Sequence, residues 1–251
     1  MSKEELILKK RLIELSKVSF ERDIVTFSDF MNLNELNIFH NMTKGELYGK
    51  YKLFGGYELA ERQMVAFLPD ALCYDYIYPF DVLKVAPTNK RFADDLSHRD
   101  YLGSMMNLGI ERCKIGDIIV DKDVAYIFIT NSLSSFVIEN LMKIKHTIVN
   151  VSICNLDNIN FEPKFEVIKG NIPSIRLDTI IAATFPMSRN KVTPLIEAGR
   201  VFINGKLVTS NGHPLKDGDI ISVRKIGKLC FDGTLSTSKK GRLFVQIKKY
   251  V

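Results

Sequence analysis

Apolar positions near the start of the chain recur at helical spacing. Leu6, Leu8, Leu12, Ile13 and Leu15 stand among charges of both signs and predict an amphipathic helix over residues 3–19. Ser28 or Asp29 is placed to cap a second helix beginning near Phe30. Gly45, Gly49 and the pair Gly55-Gly56 break the next stretch, and Glu58–Phe67 reads as a further helix closed by Pro69-Asp70. From residue 72 the rhythm changes. Asp81–Pro87 predicts a strand, and Arg99–Gly109 a helix with Leu102, Met105 and Met106 on one face. Ile118–Val120 and Val124–Ile129 predict a hairpin across Asp121-Lys122-Asp123. Ser132–Ile144 carries Leu133, Phe136, Val137, Leu141 and Ile144 at spacings of three and four, as a helix would, and Thr147–Ile153 is a β-branched strand. The order β-α-β-β-α-β predicts a ferredoxin-like split sandwich with one sheet face free of helices.

That face carries a choice. Along residues 124–129 the period of two puts Tyr126 and Phe128 on one side, Ile127 and Ile129 on the other. With the isoleucines toward the helices, the two aromatics become candidates for base stacking, as in RNA-recognition modules. The basic-glycine-aromatic motif of those modules is absent, and N-terminal helices packed over the face would make the same aromatics core.

The last third is patterned most tightly. Leu177, Ile180, Ile181 and Phe185 mark a short helix opened by Arg176-Leu177-Asp178. Ser188 is an N-cap for a second helix, which puts Arg189 and Lys191 in its first turn beside its unpaired N–H groups. Cations there oppose the helix dipole by a few tenths of a kcal/mol, a cost that an anion would offset. Pro194 inside this helix implies a bend or a late start. Gly199 ends it, and Arg200 enters a hairpin whose Asn204-Gly205 pair signals a type I′ turn, followed at once by Lys206. Gly218-Asp219 makes a second turn before Ile220–Val223.

Charge sharpens this reading. The net charge is +6, yet residues 171–251 hold 14 Lys and Arg against 5 Asp and Glu, leaving the first 170 residues at −3. A basic C-terminal third on a near-neutral body implies a polyanion contact there, and five cations at the junctions of one motif imply RNA phosphates. No basic amphipathic segment of membrane type appears, no apolar run reaches the ~18 residues of a membrane span, and the N-terminus lacks a signal-peptide core. Cys73, Cys113, Cys154 and Cys230 lie too far apart for a metal knuckle or a disulfide framework and read as reduced thiols of a cytoplasmic protein.

Three catalytic look-alikes fail. Gly55-Gly56 has neither the Lys-Ser/Thr of a phosphate loop nor dinucleotide spacing, and reads as a turn. His98-Arg99-Asp100 imitates a kinase catalytic loop, but Met105 stands where that loop needs Asn. Asp100 instead suits the first turn of a helix. Arg176-Leu177-Asp178 resembles the triplet of pseudouridine synthases, yet here it opens an amphipathic helix, where Asp178 serves as a first-turn carboxylate or a partner for neighbouring arginines.

Arg176-Leu177-Asp178, Ser188-Arg189, Lys191, Ile196, Gly199-Arg200-Val201, Asn204-Gly205-Lys206 and Gly218-Asp219 together resemble the S-four (alpha-L) RNA-binding domain. Gly55-Gly56-Tyr57-Glu58-x-Ala60-Glu61-Arg62 and His98-Arg99-Asp100-Tyr101-Leu102-Gly103, with Asn107-Leu108-Gly109-Ile110, resemble the YlmH-type proteins of Gram-positive bacteria. The resemblance implies an α+β chain of three parts: a mainly helical region over 1–71, a ferredoxin-like domain over 72–165, and an S-four domain with a β extension over 171–251. It implies a non-enzymatic factor in ribosome-associated quality control that binds rRNA and tRNA on the large ribosomal subunit beside a stalled peptidyl-tRNA. It further implies links to cell division. The residues expected to contact RNA are Arg176, Ser188, Arg189, Lys191, Arg200, Asn204 and Lys206. No cofactor, metal, membrane or small-molecule substrate is expected, and the chain should be monomeric off the ribosome. Two alternatives stay open: an RNA-modifying enzyme delivered by the S-four domain, and a division-associated interaction protein.

Overall fold

The structure is a computed structural model that describes residues 3–42, 45–70, 72, 74–155, 165–238 and 241–250. The chain forms two compact units, Met1–Phe161 and Glu162–Val251.

The first unit begins with α1 (Lys3–Arg22), which buries Leu12 and the hydroxyls of Ser16 and Ser19. β1 (Thr26–Phe27), α2 (Leu33–His40), β2 (Lys50–Phe54) and β3 (Met64–Leu68) follow. Helix α2 starts later than expected because Asn32 makes the better cap. Its side-chain oxygen accepts from the N–H groups of Asn34 and Glu35, and the Glu35 carboxylate accepts from the Asn32 N–H at 2.7 Å. Ser28 is engaged elsewhere, its hydroxyl accepting from Val65 N–H. The helix expected over Glu58–Phe67 does not form. Met64 to Phe67 are at most 1% exposed and run as the middle strand of an antiparallel sheet ordered β1-β3-β2. A short apolar run buried on every side carries no period, so strand and helix read alike in sequence.

The central sheet is built from β4 (Phe80–Pro87), α3 (His98–Asn107), β5 (Ile115–Asp121), β6 (Val124–Thr130), α4 (Ser134–Asn140), β7 (Lys143–Ile144) and β8 (Thr147–Cys154). Its order β5-β6-β4-β8-β7, antiparallel throughout, is the ferredoxin-like arrangement with a short added edge. The helix expected over Ser132–Ile144 stops at Asn140. Leu141 leaves helical geometry, Lys145 adopts φ 52°, and Ile144 pairs with Thr147 across a tight hairpin. Leu141 and Ile144 still reach the core that their spacing implied, one from a cap and one from a strand.

Ile127 and Ile129 face the helices and pack with Tyr101, Met105 and Val137. The opposite face is covered in part. Phe80, Val82 and Phe128 pack there against Phe30 and Met64 from the N-terminal region. A polar knot fastens the two layers. The Asp117 carboxylate accepts from Tyr57 O–H at 2.8 Å, Glu61 N–H at 2.7 Å and Arg62 N–H at 3.1 Å. The Arg62 guanidinium, buried, donates to the carbonyls of Phe30, Arg112 and Ile115. Gly56 makes the closing turn at φ 101°, where a Cβ would sit 2.2 Å from the Phe128 ring. The Gly55-to-Arg62 motif is thus an architectural clasp.

The second unit opens with a strand that the sequence reading left unassigned, β9 (Phe165–Ile172). It continues through α5 (Leu177–Thr184), α6 (Arg189–Glu197), β10 (Val201–Ile203), β11 (Lys206–Leu207), β12 (Ile220–Val223), β13 (Gly227–Thr237) and β14 (Leu243–Tyr250). One antiparallel sheet, ordered β11-β10-β12-β13-β14-β9, carries both helices on one face. Ile180, Ile181, Val192 and Ile196 pack there onto Val201, Ile221, Phe231 and Ile247, all fully buried. At about 25 cal/mol per Å² of apolar surface removed from water, that burial is what seats two short helices that would not persist alone.

Candidate nucleic-acid interface

Arg176 is the N-cap of α5, and its side chain folds back on the helix. Nε stands 3.1 Å and Nη2 3.3 Å from the two Asp178 carboxylate oxygens. Asp178 is only 6% exposed, so a buried carboxylate anchors a guanidinium that stays half in solvent. The helix N-terminus itself is closed: Leu177 N–H donates to His213 O and Asp178 N–H to Asn211 O.

Helix α6 begins differently. Ser188 holds extended cap geometry, but its side chain makes no capping hydrogen bond. Arg189 donates from Nη2 to Thr179 Oγ1 at 2.9 Å, and Thr179 in turn reaches Asp178 at 3.4 Å. Arg176, Asp178, Thr179 and Arg189 therefore form one chain of contacts that joins the starts of both helices. Arg176, Ser188, Arg189 and Lys191 are all exposed. Pro194 sits within α6, which runs through it, with Val192 and Ile196 fully buried on either side.

The hairpin forms as its residues require. Asn204 at φ 49° and Gly205 at φ 79° give a type I′ turn between β10 and β11. Arg200 precedes β10 beyond the far end of α6, at the opposite end of that helix from Arg189. It shares a backbone hydrogen bond with Arg224, whose guanidinium lies 5.1 Å over the Phe202 ring. Lys206 is exposed opposite Ile203. The cations thus divide into a close group at the helix starts and outposts along the hairpin.

Two expected contacts change. Asn204 has its amide engaged within the fold, Nδ2 donating to Asp219 at 2.8 Å and Oδ1 accepting from Ile220 N–H at 2.9 Å, so it holds the two turns together. Phe128 is 0% exposed, its ring 5.6 Å from that of Tyr57 and 6.2 Å from that of Phe80. No nucleobase can reach it in this fold: the ring is core, covered by Phe30, Tyr57 and the strand residue Met64 where N-terminal helices were expected. Tyr126 lies half-buried at the rim of the same cluster. Thr179 and Arg224 were absent from the sequence reading, since only the fold brings them beside Arg189 and Arg200.

Among the described residues no cluster of His, Cys, Asp or Glu could hold a metal ion, and no helix is long and apolar enough to cross a membrane.

Residues 78–158 match the family model described as "Putative RNA-binding domain in YlmH", and residues 175–221 match the S4 domain. The first match covers the ferredoxin-like sheet. The second contains Arg176, Ser188, Arg189, Lys191, Arg200, Asn204 and Lys206. The chain is similar to the "Ribosome-associated protein quality control protein P2" of Bacillus subtilis (strain 168), 25% identical over 252 residues, 98% of this chain and 96% of the relative. Its fold is similar to that of the "Cell division protein ylmH from Streptococcus pneumoniae", with a TM-score of 0.51, 20% identity, and coverage of 64% of this chain and 97% of the other. The chain thus carries, in order along one α+β fold, a segment that matches the YlmH RNA-binding domain model and a segment that matches the S4 domain.

Proposed function

We propose that this chain is a non-enzymatic RNA-binding factor that associates with the ribosome. It holds structured rRNA and tRNA on the large subunit during quality control of stalled peptidyl-tRNA, in the cytoplasm where ribosomes work. The observation that carries this reading is the joined start of α5 and α6. There Asp178 and Thr179 hold Arg176 and Arg189 in fixed directions while both remain exposed beside Lys191.

Pre-oriented guanidiniums grip phosphate with less entropy to lose than free ones, and they fix register without reading base sequence. The start of α6, with Ser188 and the first-turn N–H groups, presents a further anion-seeking element. Arg200 and Lys206 extend the same grip along the hairpin, which suits an RNA recognised by shape and backbone. The match to the S4 domain and the quality-control role in the relative's name support the assignment. Asp178 has its carboxylate held by Arg176 and Thr179, a positioning role in place of a nucleophile's.

Co-sedimentation with purified large subunits tests the reading. Arg176→Ala combined with Arg189→Ala should weaken association by about tenfold or more, since each hydrogen bond between charged groups contributes roughly 1.5–3 kcal/mol. The wild-type interaction should also weaken steeply with salt. Association unchanged in the double variant overturns the proposal.

A further inference from the structure

The sheet of the second unit has a second face, turned away from α5 and α6. Strand alternation defines it. Ile168 and Ile172 on β9, with Val245 and Ile247 on β14, join the core beneath the helices. Phe165, Val167 and Lys169, with Phe244, Lys248 and Tyr250, therefore point the other way. Phe165, Val167 and Phe244 are 41%, 49% and 41% exposed, a large apolar fraction for a solvent-facing sheet.

Cations are interleaved with these rings. Lys248 Nζ lies 5.4 Å over Phe165, Lys228 Nζ from β13 lies 6.0 Å over Tyr250, and the two rings meet edge-on at 6.3 Å. Asp232 on β13 faces the same lysines, and its carboxylate is held by Lys248 at 2.7 Å and Gln246 at 2.6 Å. Lys169 stands exposed at the outer strand. With Lys169, Lys228 and Lys248 set against one carboxylate, the face is cationic as well as aromatic. A neutral or basic protein surface docked here would add no negative charge to a face whose three lysines outnumber Asp232. A polyanion with flat rings meets both features.

We propose that this face binds an unpaired stretch of RNA, with bases stacked against Phe165 and Tyr250 and phosphates on Lys169, Lys228 and Lys248. Exposed aromatics within a positive groove are how sheet proteins hold single strands without reading sequence. The site is separate from the α5–α6 group, and the two grips address different RNA: paired backbone at the helix starts, unpaired nucleotides on the sheet. The inference stands or falls independently of the ribosomal role.

Fluorescence anisotropy of the full chain with a labelled, unstructured oligouridylate tests it, with an RNA hairpin as the comparison ligand. Phe165→Leu with Tyr250→Leu keeps apolar bulk and removes the stacking rings. It should raise the Kd for the oligouridylate about tenfold and leave hairpin binding unchanged. Lys169→Gln with Lys228→Gln should reduce the slope of log K against log salt by about 1.4, at about 0.7 per single-strand phosphate. Arg189→Ala should show the reverse pattern, weakening the hairpin and sparing the oligouridylate. Circular dichroism confirms that each variant folds, and Lys169→Glu, at an exposed position, repeats the test should the ring variants fail to fold. An oligouridylate affinity and salt slope that survive these changes overturn the proposal. If the ring variants instead abolish self-association seen by sedimentation, the face is a protein interface and the proposal is equally overturned.

Discussion

Arg62 and Arg176 each stand beside an aspartate, yet Arg62 is 9% exposed while 47% of the Arg176 side chain faces solvent. The difference lies in where the donors go. Arg62 gives its hydrogen bonds to three backbone carbonyls from separate segments, and Asp117 gathers Tyr57, Glu61 and Arg62 from one turn. Burial lowers the Arg62 pKa, and it pulls the neighbouring Arg112 down to about 10. These are groups that stop being a charged surface and become mortar. At Arg176 the burial is reversed: the acid lies inside and the guanidinium outside. One arrangement consumes its hydrogen-bonding capacity in holding layers together; the other aims it outward. A basic residue in sequence says nothing about which it will be.

The largest effect should come from breaking the clasp. Asp117→Ala leaves the Tyr57 hydroxyl and two backbone N–H groups without their acceptor, and it removes the charge facing Arg62. It should lower unfolding stability by ~3 kcal/mol or more, read from the urea midpoint of the first unit's transition by circular dichroism. RNA binding through the α5–α6 group should survive in whatever fraction stays folded. A stability within about 0.5 kcal/mol of wild type would show that the clasp is decorative.

Asp178→Asn is the matching change in the second unit and should do less to stability and more to function. The amide keeps the shape and one acceptor oxygen, while half of the Arg176 side chain is already in water. Solvent screening therefore limits the loss to about 1 kcal/mol. Arg176 loses its tether, so hairpin-RNA affinity should fall several-fold with little change in the salt slope, because the cation is still present. A changed slope would mean that Asp178 alters the number of phosphates contacted.

How much of this could be read in advance follows from the range of the forces. Local signals were legible. The Ser188 start, the Asn204-Gly205 turn and the four long strands of the central sheet all declare themselves within a few residues. Met64–Phe67 failed because its burial is imposed by distant strands, and β9 escaped notice because its partner β14 lies some 80 residues on. At the site, residue types were legible and directions were not. Nothing near Asn204 reveals that Asp219 and Ile220 will engage its amide. Phe128 looked like a stacking ring until Tyr57 and Phe30, each more than 70 positions earlier, were found against its face.

Asp100 gives the smallest effect and the sharpest control. It pairs with Lys145 at 2.8 Å as Asp178 pairs with Arg176, but in the first unit and outside the set of residues expected to contact RNA. Its carboxylate is held down to about 2 from an ordinary 3.8, first by the Lys145 ammonium and then by the Ser97 hydroxyl and N–H at the start of α3. A folded-state value below the unfolded one means the contribution is fully present above about pH 4 and is lost as pH falls toward 2. Asp100→Asn should therefore melt slightly below wild type at neutral pH and converge with it at about pH 2, in melting curves followed by circular dichroism. Its RNA affinity should be unchanged at every salt concentration. If Asp100→Asn instead weakened RNA binding as Asp178→Asn should, exposed acid–base pairs would matter to this protein through overall charge, and the outward aim of Arg176 and Arg189 would lose its special standing.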